Sequence, residues 1–179
     1  MDYILTNELC VLAIDPSTRG LGFAVFEGPH QLLDWGLKQA TDNKNAECVR
    51  IVKELIERYH PHVLVLENVA GKDSRRRARV RELLQAIRET ARQKGVKVMD
   101  ETPDRVRRAF LPKKDTIAAA IAGRFPELAS RLPKPRTLTM PEHSAMPVFD
   151  ATAFAMTFFY FRNRKQLCEE RKAIRSAFH

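Results

Sequence analysis

Apolar residues along this chain fall into two rhythms. Three short runs come first, at about residues 9–15, 21–27 and 31–37, broken by turn formers from Pro16 to Gly20 and at Gly28-Pro29. They read as strands joined by tight turns. From Glu47 to Tyr59 the spacing lengthens: Val49, Val52, Ile56 and Tyr59 recur at helical steps, with Lys53, Glu54 and Arg58 elsewhere on the wheel. His62 to Leu66 is continuously apolar after its histidine, the pattern of a central strand covered on both faces. A helix over about Ser74 to Lys94, closed by Gly95, leads into a strand at Val96–Met99. An alanine-rich helix from Ile117 to Phe125, an extended connector with Pro133, Pro135 and Pro141, and an apolar helical stretch from Val148 to Phe161 complete the series. Residues 162–179 read as an exposed basic helix end. Three strands followed by alternating helix and strand predict one α/β domain over 1–179. Its mixed five-stranded sheet has the antiparallel strands first and helices on its flanks.

Acids punctuate this pattern at informative places. Asp15 ends the first apolar run, Glu67 ends the run from His62, and Asp150 opens the apolar helical stretch. A carboxylate at a strand end is held on rigid backbone at the rim of a sheet, where it can reach a metal ion. A buried carboxylate is costly unless paired or metal-bound, so Asp150 in so apolar a setting asks for a partner. The plainer alternatives are a turn aspartate at Asp15 and a helix N-cap at Asp150.

Charge adds a polyanion as the expected partner. Lys and Arg outnumber Asp and Glu by 31 to 22, a net charge of +9, and the isoelectric point is near 9.8. Five of the seven residues from Arg75 to Arg81 are arginine. On the helix that follows Glu67, Val80, Leu84, Ile87 and Ala91 form a packing stripe, and Arg77, Arg81, Arg88 and Arg92 trace a cationic stripe beside it. Arg75, Arg76, Arg77, Arg81 and Arg88 are therefore candidate phosphate ligands, with a merely solvated charged face as the alternative. Lys113 and Lys114 stand at the start of the alanine-rich helix, where backbone amides also favour anions.

Other classes lose ground. Cys10, Cys48 and Cys168 have no ligand-like spacing, as expected of reduced thiols in a cytoplasmic protein. No signal segment is visible, and the stretch from Val148 to Phe161 is shorter than the roughly 20 residues of a membrane span. No glycine-rich phosphate loop argues for a nucleotide cofactor.

Taken in order, the acidic segments resemble the RuvC family of Holliday junction resolvases, within the ribonuclease H-like superfamily. Asp15-Pro16-Ser17-Thr18-Arg19 with Gly22-Phe23 is similar to the family's Asp-Pro-Gly-Ser-Arg and Gly-Tyr; Glu67 matches its strand-end glutamate; Asp150-Ala151 matches the close of its Asp/His-x-x-Asp-Ala motif. The resemblance spans most of the chain and implies a ribonuclease H-like fold and a homodimeric, Mg²⁺-dependent endonuclease of branched DNA. It further implies two ions per site with Mn²⁺ as a substitute, Asp15 bridging them, Glu67 and Asp150 as further ligands, and 5′ phosphate and 3′ hydroxyl products. It also implies a lysine at a helix start facing the scissile phosphate, for which Lys114 is the candidate and Lys113 the alternative. Two positions depart from the pattern. Pro147 stands where the family carries another Asp or His ligand, so a fourth ligand must come from Glu142 or His143 or be missing; hard-oxygen preference favours Glu142. Ala70 stands where resolvases commonly place an aromatic wedge. Alternative readings are a YqgF-type nuclease acting on RNA, a catalytically impaired junction-binding module and, least supported, half of an actin-like ATPase or sugar kinase.

Overall fold

A computed structural model describes residues 9–69, 78–110, 114–133 and 144–177. Strands β1 (Cys10–Ser17), β2 (Gly20–Glu27) and β3 (Gln31–Gln39) form an antiparallel meander, and helix α1 (Lys44–Tyr59) carries the chain back to β4 (Val63–Glu67). Helix α2 (Ala78–Gln93), β5 (Lys97–Glu101), α3 (Pro103–Phe110), α4 (Lys114–Arg124), a 3-10 turn (Pro126–Arg131) and α5 (Met146–Ala177) follow. The sheet order is β3-β2-β1-β4-β5, with β4 parallel to both β1 and β5. The five-stranded mixed sheet, antiparallel strands first, is the expected one.

Strict alternation along the central strands divides the core in two. Val11 and Ala13 of β1 and Val63 and Val65 of β4 face a cluster built with α4 and α5, including Ile121, Phe149, Phe154 and Phe158. Leu12, Ile14, Leu64 and Leu66 face the opposite cluster, built with Ile51, Val52, Leu83, Leu84 and Ile87 of α1 and α2. Each such side chain is worth about 1.5–3 kcal/mol when fully buried, so a one-residue slip of β1 would forfeit several at once. The same alternation fixes where the acids at the strand ends point.

Several element ends differ from expectation. The strand of Asp15 does not stop there; Asp15, Pro16 and Ser17 pair with Gly22, Leu21 and Gly20, and the turn is Thr18-Arg19. Pro16 fits because the ladder to β4 covers Val11–Ile14 and Pro16 falls past it. Strand β5 runs on to Glu101. Helix α2 stops at Gln93 and is closed, as predicted, by Gly95, whose φ of +72° lets Gly95 N–H reach the Arg92 carbonyl and Val96 N–H the Ala91 carbonyl, both at 2.9 Å. The apolar stretch and basic tail near the end form one helix of 32 residues. No glycine or proline interrupts it between Val148 and Ala177, which is why it does not break where its buried half ends. Among the described residues no helix is long and apolar enough to cross a membrane.

Candidate active site

Asp15 and Glu67 are neighbours by topology. Ile14 pairs with Leu66 in the parallel ladder, so the next residues, Asp15 and Glu67, stand side by side where that ladder stops, towards the carboxyl ends of β1 and β4. By alternation they share the face of Ala13 and Val65, the face on which α5 packs. Asp15 is 2% exposed, while Glu67 is partly buried.

Helix α5 brings the third acid. It packs on β1, β2 and β4, and its first turn lies against Gly22, the cross-strand partner of Asp15. A Cβ added to Gly22 would stand 2.3 Å from the Pro147 carbonyl carbon and 2.6 Å from the Val148 nitrogen. This close approach sets the start of α5 directly over the strand pair that carries Asp15, with Asp150 one helical turn further on. Because α5 begins at Met146, Asp150 lies inside the helix and is not its N-cap. Pro147 suits the first turn, where its missing N–H costs nothing, and its backbone is what presses on Gly22.

Strand β5 contributes an acid that the sequence reading missed. Glu101 is 1% exposed and pairs in register with Glu67, on a strand only ~4.8 Å away. Two parallel strands ending in acids side by side would repel; Arg105 offsets this with its Nε 2.6 Å from a Glu101 carboxylate oxygen. The Arg105 guanidinium also lies 4.1 Å from the Phe161 ring centroid, which ties α3 to α5. The signal was present, since Val98-Met99-Asp100-Glu101 repeats the design of an apolar run ending in acid.

The basic residues divide. Arg81 is exposed on α2. Arg88, grouped with the phosphate-facing arginines from sequence, is turned inward: its side chain is 13% exposed, it pairs with Asp100 at 2.7 Å, and it donates to the Glu67 carbonyl at 3.3 Å. Arg79, unassigned from sequence, donates to the Ser17 carbonyl and to Asn45 Oδ1, each at 3.0 Å. Lys114 opens α4. Arg75, Arg76, Arg77, Ala70, Lys113, Glu142 and His143 lie outside the described residues.

The donor chemistry of Asp15, Glu67 and Asp150 suits a hard divalent cation. Among the described residues, however, no group of three or more His, Cys, Asp or Glu side chains stands close enough together to hold one. Asp15 and Glu67 share one face of the sheet, and Asp150 lies one turn into the helix seated on that face.

No family model matches the sequence, and no curated protein matches it. Solved structures do. RuvC of Thermus thermophilus superposes with a TM-score of 0.66 at 23% identity, covering 88% of this chain and 97% of that one. T. thermophilus RuvC in complex with a Holliday junction substrate gives 0.66 at 21% identity, over 88% and 96%. The yeast mitochondrial Holliday junction resolvase gives 0.56 at 12% identity, over 94% and 87%. This chain has the ribonuclease H-like fold of the RuvC structures.

Proposed function

We propose that this protein is a divalent-metal-dependent endonuclease that cuts phosphodiester bonds in branched DNA, leaving 5′ phosphate and 3′ hydroxyl ends. One observation carries the reading: Asp15 and Glu67 follow the paired Ile14 and Leu66 on neighbouring parallel strands, and α5, the helix of Asp150, is seated on Gly22, the cross-strand partner of Asp15. The shared fold with RuvC, one copy of which is bound to a Holliday junction, supports the choice of substrate.

Asp15, Glu67 and Asp150 would hold Mg²⁺, two ions per site with Mn²⁺ as a substitute, with Asp15 as the ligand shared by both. Glu142 supplies the ligand that Pro147 cannot. Such ions would supply an acidified water and charge stabilisation for the leaving 3′ oxygen. Lys114, with Lys113 beside it, faces the scissile phosphate, while Arg75, Arg76, Arg77 and Arg81 hold phosphates along the flanking arms. Paired cuts across a four-way junction call for two sites, hence a homodimer, acting in the cytoplasm. A second reading, a junction-binding protein without turnover, is favoured by Pro147, which stands where a further metal ligand is expected.

The deciding experiment offers the pure protein, with Mg²⁺ or with EDTA, a labelled four-way junction, linear duplex, single strand and structured RNA. The expected result is metal-dependent cutting of the junction. Cutting of RNA alone would make it an RNA nuclease, and junction binding without cutting would select the second reading. In the same assay Glu142→Gln should raise the Mg²⁺ concentration for half-maximal cleavage, while His143→Ala should not; the reverse order would make His143 the ligand.

A further inference from the structure

Helix α2 carries two arginines whose guanidinium groups end on the main chain of the candidate site. At its first turn Arg79 donates to the Ser17 carbonyl at 3.0 Å, two residues beyond Asp15. Two and a half turns on, Arg88 donates to the carbonyl of Glu67 itself at 3.3 Å. Each is fixed from the other side. Arg79 Nη1 donates to Asn45 Oδ1 at 3.0 Å, and Asn45 Nδ2 returns a bond to the Arg79 carbonyl at 3.3 Å, locking α2 to α1. Arg88 holds Asp100 of β5 at 2.7 Å. At 3.6 residues per turn the two arginines fall on opposite flanks of the buried stripe of Val80, Leu83, Leu84, Ile87 and Ala91, so the helix is gripped on both sides.

We infer that Arg79 and Arg88 are positioning residues, a two-point clamp through which α2 sets the strand ends carrying Asp15 and Glu67 relative to one another. This rests on the nuclease reading of those acids. Arg79 uses the planar fork, Nη2 on the Ser17 carbonyl and Nη1 on Asn45 Oδ1, while Arg88 reaches the Glu67 carbonyl and Asp100 from Nη2 alone; a lysine ammonium keeps the charge without these fixed, planar N–H directions. Because the exposed Arg81 shares this helix, a phosphate that pulls on α2 also pulls on the clamp. Seating of DNA on the basic face is thereby coupled to the spacing of the carboxylates.

Lysine substitution separates the clamp from simple charge. Arg79→Lys and Arg88→Lys keep the net charge, so junction affinity and its salt dependence should stay at the wild-type level. The single-turnover cleavage rate should fall by up to about 100-fold, the scale of a misplacement of 1 Å at reacting groups. Mn²⁺ binding, followed without DNA by the paramagnetic resonance of unbound ion, should weaken in step. Asn45→Ala, which leaves every arginine in place, should reproduce part of the loss and add little to Arg79→Lys. Lysine variants that cleave and bind Mn²⁺ like wild type would overturn the clamp, and so would variants that lose affinity at an unchanged rate, since these arginines would then be phosphate ligands. Wild type is measured first. If it neither cuts nor binds Mn²⁺, the nuclease reading falls; if it does both and the variants match it, the clamp alone falls.

Discussion

At the scale of single residues, Asp15, Glu67 and Asp150 each supply a charge that the proposed chemistry needs. Asp15→Asn, Glu67→Gln and Asp150→Asn should each abolish cleavage and leave junction binding intact, as read by gel shift and product analysis on the same samples. Full activity in any one would remove that residue from the site. Two glycines make a sharper comparison, because they are needed for different reasons. Gly22→Ala drives a Cβ into the backbone of Pro147 and Val148, which cannot give way as a side chain tip can, and should cost about 1–3 kcal/mol in urea denaturation while also lowering cleavage. Gly95→Ala meets nothing within 4 Å but forces alanine to a φ of +72°, and should cost roughly 1 kcal/mol with activity unchanged. Equal effects on activity would mean that α5 is not seated through Gly22.

At the scale of elements, helix α2 has an outward and an inward use for arginine. Replacing both Arg77 and Arg81 by alanine should flatten the slope of log affinity against log salt by roughly 0.9 for each phosphate left unneutralised. An unchanged slope would reduce the stripe to solvated surface. The outward position of Arg81 was legible in the sequence, but the inward turn of Arg88 was not. Periodicity gives the direction of a Cα–Cβ bond, whereas a long side chain at the edge of the stripe is free to fold back onto a carbonyl it meets only in three dimensions. The strand acids were legible for the opposite reason, since a short rigid run followed by an acid leaves its carboxylate little choice. Glu101 escaped notice because two consecutive acids after Met99 look like the start of a loop, and only the ladder to β4 keeps them in the strand. The packing of Gly22 against Pro147 joins positions far apart in the chain and had no local signature.

For the molecule as a whole, the three thiols report on how tightly the layers close. Cys48 lies buried between α1 and the sheet, and desolvation there pushes its thiol up, with Arg79 opposing and Glu47 adding to the shift; burial, then Glu27, pushes Cys10 up as well. Less thiolate is present at a given pH than in the open chain, so in native protein Cys168, which is exposed, should alkylate first and Cys48 only on unfolding. Mass spectrometry of a timed iodoacetamide reaction checks the order. A group whose native pKa is raised gives its full contribution below the unfolded thiol value and loses it as the pH climbs through the native one, so the protein should weaken in alkali. Rapid native labelling of Cys48 would mean that α1 opens readily from the sheet.

The parallel pairing of β1 with β4 has a further consequence during synthesis. The meander of β1, β2 and β3 is local and can close as soon as it leaves the ribosome, but Asp15 then stands alone. Glu67 reaches it only after α1 has been made and has returned the chain across the sheet, a non-local step that is slow by nature. Asp150 is translated last of the three and arrives with α5, whose phenylalanines also complete the core over that face. A half-made chain therefore holds its acids apart, and whatever chemistry they perform together begins only when the final helix has docked.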